Sequence, residues 1–141
     1  MWREYRRQLG AIAIRDHTRR AISRYTPDGV IIAGDMNLVS GRAALDTLLG
    51  TVRKGRLGPM RRAEAVQPDG WSDWTWDARE TPFNSSRLDN MVYSAGTLNA
   101  VQALVWDTES MSAEMLKMHG LAVNTSKSIN RHRPVVVDFR F

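Results

Sequence analysis

Three short segments combine acids, amides and a histidine in ways that can act on a phosphate group. The first is residues 31–37 (IIAGDMN), where an apolar run ends in an acid and an amide two positions apart. Side chains at positions i and i+2 of an extended chain point the same way, so Asp35 and Asn37 can address one ligand. A carboxylate can hold a hard cation or orient water, and an amide can bind a phosphate oxygen. A strand-end Asx turn explains the same two residues equally well.

The other two segments each place a charged or titratable residue at the head of a strand. In residues 86–94 (SRLDNMVYS), Arg87 and Asp89 precede a mostly apolar stretch, and a salt bridge at a strand end is the usual explanation. In residues 132–139 (HRPVVVDF), His132 stands just before a proline-led strand, where the end of the sheet meets solvent. A histidine oriented by a carboxylate can contact phosphate or move a proton, although a lone histidine is more often structural.

Helices are predicted on both sides of the first segment and before the third. A helix over residues 3–25 precedes the first segment, and Ser40 predicts the start of a second helix over residues 41–50. Ser112 opens a short helix that Gly120 ends. In the first helix, apolar side chains recur at helical spacing at Trp2, Tyr5, Leu9 and Ile12.

Strands are predicted between the helices. Residues 30–33 form a nearly all-apolar run, which is typical of a strand buried on both faces. Residues 53–62 are basic and contain glycine, which favours a loop, and residues 53–80 are the predicted specificity loop. Helices that alternate with strands indicate a layered α/β or α+β architecture. The remaining predicted strands are 87–94, 101–106 and 134–141.

Taken in order, the three segments resemble the motifs of the endonuclease/exonuclease/phosphatase superfamily. These are an apolar strand ending in Gly-Asp-x-Asn, then Arg-Leu-Asp opening a strand, then His-Arg-Pro-Val opening the last strand. An Arg/Gln-rich helix at residues 3–8 and the Thr75-Trp76 pair agree with the same family. The resemblance spans residues 3–141, which is nearly the whole chain.

The resemblance implies a DNase I-like fold of the α/β (α+β) class. This fold is a four-layer sandwich, in which two mixed β-sheets pack face to face and helices cover them outside. It also implies a metal-dependent phosphoester hydrolase, in which one divalent metal, Mg²⁺ or Mn²⁺, helps water to attack phosphorus at the ends of the sheets. Residues 1–141 are expected to form only the C-terminal half of such a domain.

The resemblance also implies roles for individual residues. Asp35 and Asn37 match the family's acid–amide pair beside the attacked phosphate, and Asp35 is the predicted metal ligand. Asp89 matches the aspartate that holds the catalytic histidine, and His132 matches that histidine. Asn37 and Arg87 are predicted to contact the substrate.

One departure from the family pattern concerns the residue before the histidine. The family usually has Ser-Asp-His before the last strand, whereas here the tripeptide is residues 130–132, with Arg131 in the middle. A cation at that position would repel Mg²⁺. Alternatively, the guanidinium fork of Arg131 could bind a substrate phosphate.

A second departure is that the family's N-terminal half normally supplies a metal-binding glutamate, an asparagine and a histidine-containing strand. Without them the metal is expected to bind weakly if at all, and one sheet lacks strands. The uncovered edges and faces predict that the chain pairs with an N-terminal half, forms a homodimer, or is a truncated product of marginal stability.

Composition narrows the class of protein further. The chain has 141 residues, a net charge of +5 and no cysteine, so neither disulfides nor thiolate metal sites can form. Residues 1–24 hold seven arginines, which suit a solvated helix face or a phosphate backbone. No apolar run is long enough for a membrane span. The lack of cysteine and of an apolar leader segment favours a cytoplasmic location.

The leading functional hypothesis is therefore a phosphoester hydrolase. DNA and RNA are among its candidate substrates. A degenerate relative that binds phosphate or nucleic acid without turnover is the alternative. A basic nucleic-acid-binding module of unrelated ancestry is the third hypothesis. Nucleases, sugar-phosphate phosphatases and phospholipases of the superfamily share these motifs, so the motifs leave the substrate open.

Overall fold

A computed structural model describes residues 2–39 and 41–141 of the chain. The predicted cap at Ser40 lies outside the described residues. A single-turn 3₁₀ helix at Thr108–Ser110 follows the fourth strand. The helices and strands, in chain order, are α1 (Trp2–Tyr25), β1 (Ile31–Asp35), α2 (Ala43–Leu49), β2 (Met60–Arg62), β3 (Asp89–Ser94), β4 (Asn99–Val105), α3 (Ala113–His119), α4 (Thr125–Ile129) and β5 (Val135–Arg140).

The strands form two sheets that face each other. The first sheet has the order β1-β3-β2, and the second is the pair β4-β5. Mixed sheets were expected, but the ladders between the described strands are antiparallel. A single parallel bridge, between Val66 and Leu104, joins the segment after β2 to β4. The α/β class is confirmed.

Two apolar clusters separate the layers. One lies between the helices α1 and α2 and the outer face of the first sheet, and it includes Leu45, Leu48 and Val92. The other lies between the two sheets, where the rings of Tyr93 and Phe139 meet edge to face with centroids 5.1 Å apart. Helix, sheet and sheet thus account for three of the four expected layers.

The first helix is confirmed, but it packs through a different face from the one predicted. Tyr5 and Leu9 are 56% and 46% exposed, whereas Ala11 is buried and Ile22 packs against the helix–sheet cluster. The helix α1 packs mainly against α2. The small side chain of Ala11 fits into the contact with the cluster, whereas Tyr5 and Leu9 face mainly outward. Although α1 has 24 residues, it is rich in arginine, and among the described residues no helix has an apolar stretch long enough to cross a membrane.

The strand β1 exists where it was predicted, but it is not buried on both faces. Its residues are mostly exposed, with Ile31 at 49%. The strand lies at the edge of the first sheet and pairs with β3 alone among the described strands. The apolar run therefore predicted the strand correctly. Whether the faces of that strand are buried depends on which other elements pack against it. The predicted pairing with an N-terminal half or a second copy stays a prediction, as does the cytoplasmic location.

Two further elements correct the predictions. The segment 53–62 is not all loop, because Met60–Arg62 forms β2 against β3. The helix α4 was missed; it is anchored by Thr108 and Ser126, each of which donates its backbone N–H to the other's hydroxyl at 2.9 Å.

The predicted boundaries of α3 are confirmed. Ser112 accepts a hydrogen bond from the backbone N–H of Met115 at 3.2 Å, and Gly120 ends the helix in the left-handed conformation with φ of 63°. Both residues act through local backbone geometry, which the sequence specifies directly.

Candidate active site

A short extended segment, residues 75–77, joins the heads of β3 and β5. On one side Trp76 exchanges backbone hydrogen bonds with Ser86, at 3.0 and 3.3 Å. On the other side the N–H of Asp77 donates to the carbonyl of Arg131 at 2.8 Å, and the N–H of Arg133 donates to the carbonyl of Thr75 at 2.7 Å. The segment therefore fixes the position of the β5 head relative to the β3 head.

The side chain of Thr75 strengthens this connection. Its hydroxyl oxygen accepts the backbone N–H groups of Leu88 and Asp89, at 3.0 and 2.9 Å, and the residue is fully buried. A buried N–H group without an acceptor costs free energy, so this hydroxyl holds the start of β3 in place. The Thr75-Trp76 pair that agreed with the family resemblance thus has a physical role in the structure.

This arrangement brings Asp89 and His132 together. The Nδ1 atom of His132 lies 2.8 Å from Oδ2 of Asp89, and the side chains are 38% and 22% exposed. An ionised carboxylate only accepts hydrogen bonds, so the tautomer that fits an ionised Asp89 has its proton on Nδ1 and leaves Nε2 for another partner. The backbone N–H of His132 donates to the side-chain oxygen of Asn130 at 3.0 Å, which restrains the turn before the strand.

Asp35 reaches the same place through the sheet. In the β1–β3 ladder Asp35 pairs directly with Asp89, and directly opposed residues of an antiparallel pair have side chains on one face. The predicted same-side arrangement of Asp35 and Asn37 does not follow from an extended chain, because β1 ends at Asp35 and Asn37 has φ of 48°. Instead, Oδ1 of Asp35 accepts the backbone N–H of Asn37 at 2.7 Å, which is the Asx turn of the alternative interpretation.

Sequence reasoning missed the charged cluster that supports the loop of His132. The guanidinium of Arg133 is fully buried and lies 2.9 Å from Asp77, 3.0 Å from Asp107 and 3.4 Å from Glu109. Its Nη1 donates to the carbonyl of Asn130, two residues before the histidine, at 2.7 Å. The only sequence signal was the arginine inside the His-Arg-Pro-Val motif, since its acidic partners are distant in the chain.

A second arginine completes this cluster. Hydrogen bonds from Arg79, together with the charge of Arg133, hold the pKa of the Asp77 carboxyl well below its usual range. Arg79 also pairs with Glu109, and both guanidinium groups lie over the ring of Trp74, at 5.2 and 5.5 Å from its centroid. The cluster therefore ties the segment after residue 77 to the turn that carries His132.

The two predicted substrate-binding arginines lie elsewhere. The side chain of Arg87 is 9% exposed, donates to the carbonyl of Ala63 and pairs with Glu64 at 3.3 Å, and burial lowers its pKa. Arg131 lines a small separate pocket together with Glu80 and Lys127. The structure thus places Asp35 opposite Asp89, which contacts His132, whereas Arg87 binds Ala63 and Glu64 and Arg131 lines the separate pocket.

A comparison with known families identifies the family of the chain. The model of the Endonuclease/Exonuclease/phosphatase family matches residues 2–125. The chain belongs to this family. A search of curated proteins and a search of solved structures each gave no match. Membership of the endonuclease/exonuclease/phosphatase family indicates phosphoester hydrolysis as the general chemistry, and the family is in general dependent on divalent metals.

In this member of the family the Asp89–His132 pair borders a cleft of about 580 Å³. The cleft lies between the two sheets and the helix α4, and its walls are mainly apolar. This volume falls within the usual range of small-molecule sites. Apolar side chains that line it include Ala33, Met91, Trp106, Leu121, Ile129 and Val135.

The residues present do not complete the metal site that the family implies. Within residues 2–39 and 41–141, no group of three histidine, aspartate or glutamate side chains is placed to hold a metal ion. Asp35 and Asp89 are the carboxylates that share one face, and Asp89 is already hydrogen-bonded to His132. The described residues therefore supply at most these two carboxylates, and a Mg²⁺ ion would need water and substrate phosphate oxygens as its other ligands.

Proposed function

We propose that the chain hydrolyses phosphoesters, as a phosphodiesterase (including nuclease action) or as a phosphatase. The observation that carries this proposal is the 2.8 Å contact between Asp89 and His132, which is built by hydrogen bonds from a segment remote from both residues. The family membership supports the same general chemistry.

In this proposal His132 acts through Nε2. The Asp89 carboxylate accepts a hydrogen bond from Nδ1–H of His132 and offsets the positive charge when the imidazole is protonated on both nitrogens. The protonated ring can then donate a hydrogen bond or a proton to an oxygen of the phosphoryl group or of the leaving group. Proton transfer of this kind contributes roughly 10²- to 10⁴-fold to a rate.

Asp35 and Asn37 take the position beside the attacked phosphate. Asp35 faces Asp89 across the ladder, and its carboxylate can orient a water molecule and accept the proton that the water loses when it attacks phosphorus. The amide of Asn37, on an exposed turn after the strand, can donate to a phosphoryl oxygen.

A second candidate function is binding of phosphate or nucleic acid without turnover. The observation that favours it is the incomplete set of metal-binding side chains within the described part of the chain. The exposed Arg131 is consistent with phosphate binding.

Hydrolysis assays separate the two functions. Purified chain is incubated with plasmid DNA and with bis-p-nitrophenyl phosphate, in Mg²⁺, in Mn²⁺ and in EDTA. We expect metal-dependent turnover that falls by about 10²- to 10⁴-fold in His132→Ala. His17→Ala, which changes an exposed histidine on α1, is the matched control and should behave as the wild type.

Two results would contradict catalysis by this pair. One is turnover that is unchanged in His132→Ala. The other is a folded wild-type chain without turnover in either metal. In the second case, binding of DNA that weakens steeply with added salt supports the non-catalytic function.

A further inference from the structure

The backbone places Trp76 directly beside His132. The two residues face each other in an antiparallel bridge, and the hydrogen bonds that close it come from the flanking residues, Asp77 to Arg131 and Arg133 to Thr75. In such a non-hydrogen-bonded pair the side chains lie on one face, and the Cα atoms are about 4.5 Å apart. The side chains of Trp76 and His132 therefore leave the backbone at neighbouring positions on the same face.

A second aromatic ring extends this surface. The ring centroid of Phe83 lies 6.4 Å from that of Trp76, with the planes tilted by 44°, and Phe83 is 68% exposed. Phe83 belongs to a loop that is closed on itself, because the N–H of Ala78 donates to the hydroxyl of Ser85 at 3.0 Å. The backbone N–H of Phe83 donates to the hydroxyl of Thr81 at 3.2 Å.

Core packing does not account for this aromatic pair. The pair Tyr93–Phe139 shows what a core pair looks like, since its centroids are 5.1 Å apart and Tyr93 is 8% exposed. By contrast, most of the Phe83 ring faces solvent although its loop is well connected. An exposed ring on an ordered loop, joined to a ring beside a histidine, is arranged to receive a flat apolar group.

The surroundings add charges that suit phosphates. Arg131 is the backbone partner of Asp77, so it lies at the start of the loop that carries Phe83. Arg131 and Lys127 line the same small pocket. Glu80 lies there too and pairs with Lys127, whereas Arg131 makes no ion pair with a carboxylate within residues 2–39 and 41–141.

We propose that Trp76 and Phe83 form a stacking platform for the unpaired base next to the phosphate at His132, so that the ligand is single-stranded nucleic acid. This inference rests on the proposed function and names its substrate class. Single-strand binding proteins combine cations that follow the backbone with aromatic rings on which bases stack. Loss of one stacked base weakens binding by roughly 5- to 100-fold.

The platform is tested by binding to two oligonucleotides of equal length. One is oligothymidine, and the other carries abasic residues on the same phosphate backbone. Fluorescence anisotropy is measured in EDTA, with the integrity of each oligomer checked on a gel. We expect the wild type to bind oligothymidine roughly 5- to 100-fold more tightly than the abasic oligomer.

Variants assign that difference to the platform. Phe83→Ala should reduce the preference for bases, and Phe83→Trp, which keeps an aromatic face, should retain it. Tyr25→Ala removes a ring that is 66% exposed on α1, and it should leave the preference unchanged. Circular dichroism confirms that each variant is folded.

Equal binding of both oligomers, or no binding of either, would overturn the platform, as would a preference that survives Phe83→Ala. The proposed function is judged separately by the dependence of hydrolysis on His132. Turnover that needs His132 without any preference for bases keeps the function and rejects the platform. A preference for bases without turnover keeps the platform and rejects hydrolysis.

Discussion

The two halves of the candidate site are built very differently. Asp89 and His132 are held by backbone hydrogen bonds on both sides of residues 75–77 and by a fully buried guanidinium. Asp35 and Asn37 lie at the exposed end of an edge strand, where the chain turns through a left-handed residue. One half is fixed by contacts that are distant in sequence, and the other half by a local turn.

The difference indicates how each half should respond to change. Buried polar groups that satisfy one another lose several interactions when one member is removed. An exposed turn at the end of a strand loses little, because water replaces each lost contact. Substitutions around Asp89 and His132 should therefore lower the stability of the fold strongly. Substitutions around Asp35 and Asn37 should change it much less.

The largest effect is expected from Arg133→Met. This change leaves Asp107, which is 1% exposed, without its cation and removes the tie to Asn130, so we expect a loss of about 3–5 kcal/mol in the free energy of unfolding. Urea denaturation measures it. Arg42→Met breaks an exposed pair with Asp46 and should cost about 0.3–0.5 kcal/mol. Equal losses in both variants would refute the difference between buried and exposed pairs.

A smaller effect is expected from Thr75→Val. The isosteric side chain removes the acceptor for the buried N–H of Leu88 and the part-buried N–H of Asp89, which should lower the free energy of unfolding by about 1–3 kcal/mol. Thr75→Ser keeps the hydroxyl and should stay close to the wild type. Urea denaturation measures stability, and NMR of the His132 ring reports whether its contact with Asp89 persists.

The Thr75 prediction has an internal check. Thr18 on α1 donates its hydroxyl to the carbonyl of Ile14 near the surface, so Thr18→Val should change stability by less than about 0.5 kcal/mol. A His132 signal that shifts equally in Thr75→Ser and Thr75→Val would show that the hydroxyl does not position the pair.

The smallest effect, with the opposite sign, is expected from Asp35→Asn. Like charges that face each other across a ladder destabilise it, so removing the charge opposite Asp89 should stabilise the fold by about 0.2–1 kcal/mol. The gain should shrink as salt is added. Asp28→Asn removes an exposed acid that pairs with Arg56, and it should give no gain. A destabilised Asp35→Asn variant would mean that the carboxylate makes a favourable contact in the fold.

Local signals in the sequence predicted local structure well. The limits of α3 follow from a serine cap and a glycine that accepts a positive φ, and each works within one turn of backbone. The three motifs likewise mark the ends of β1, β3 and β5, and the structure places Asp35, Asp89 and His132 in one region. Their roles in catalysis stay predictions.

Features that depend on distant partners were not predictable in the same way. The strand β2 is short and basic, and its sequence does not alternate between apolar and polar residues. It forms a strand because its backbone can hydrogen-bond to β3. The burial of Arg133 depends on Asp77, Asp107 and Glu109, which no spacing rule connects to it. The exposure of β1 likewise depends on what covers it rather than on its own apolar residues.

The hydrogen bonds around Thr75 also indicate an order of folding. Thr75 and Leu88 are 13 positions apart, whereas Asp89 and His132 are 43 positions apart. The entropic cost of closing a loop rises with its length, so the link from Thr75 to the start of β3 can form early and cheaply. Docking of the His132 strand then completes the pair in a later step. A chain stalled between these steps would keep Thr75 bound to the start of β3 while Asp89 and His132 are still apart.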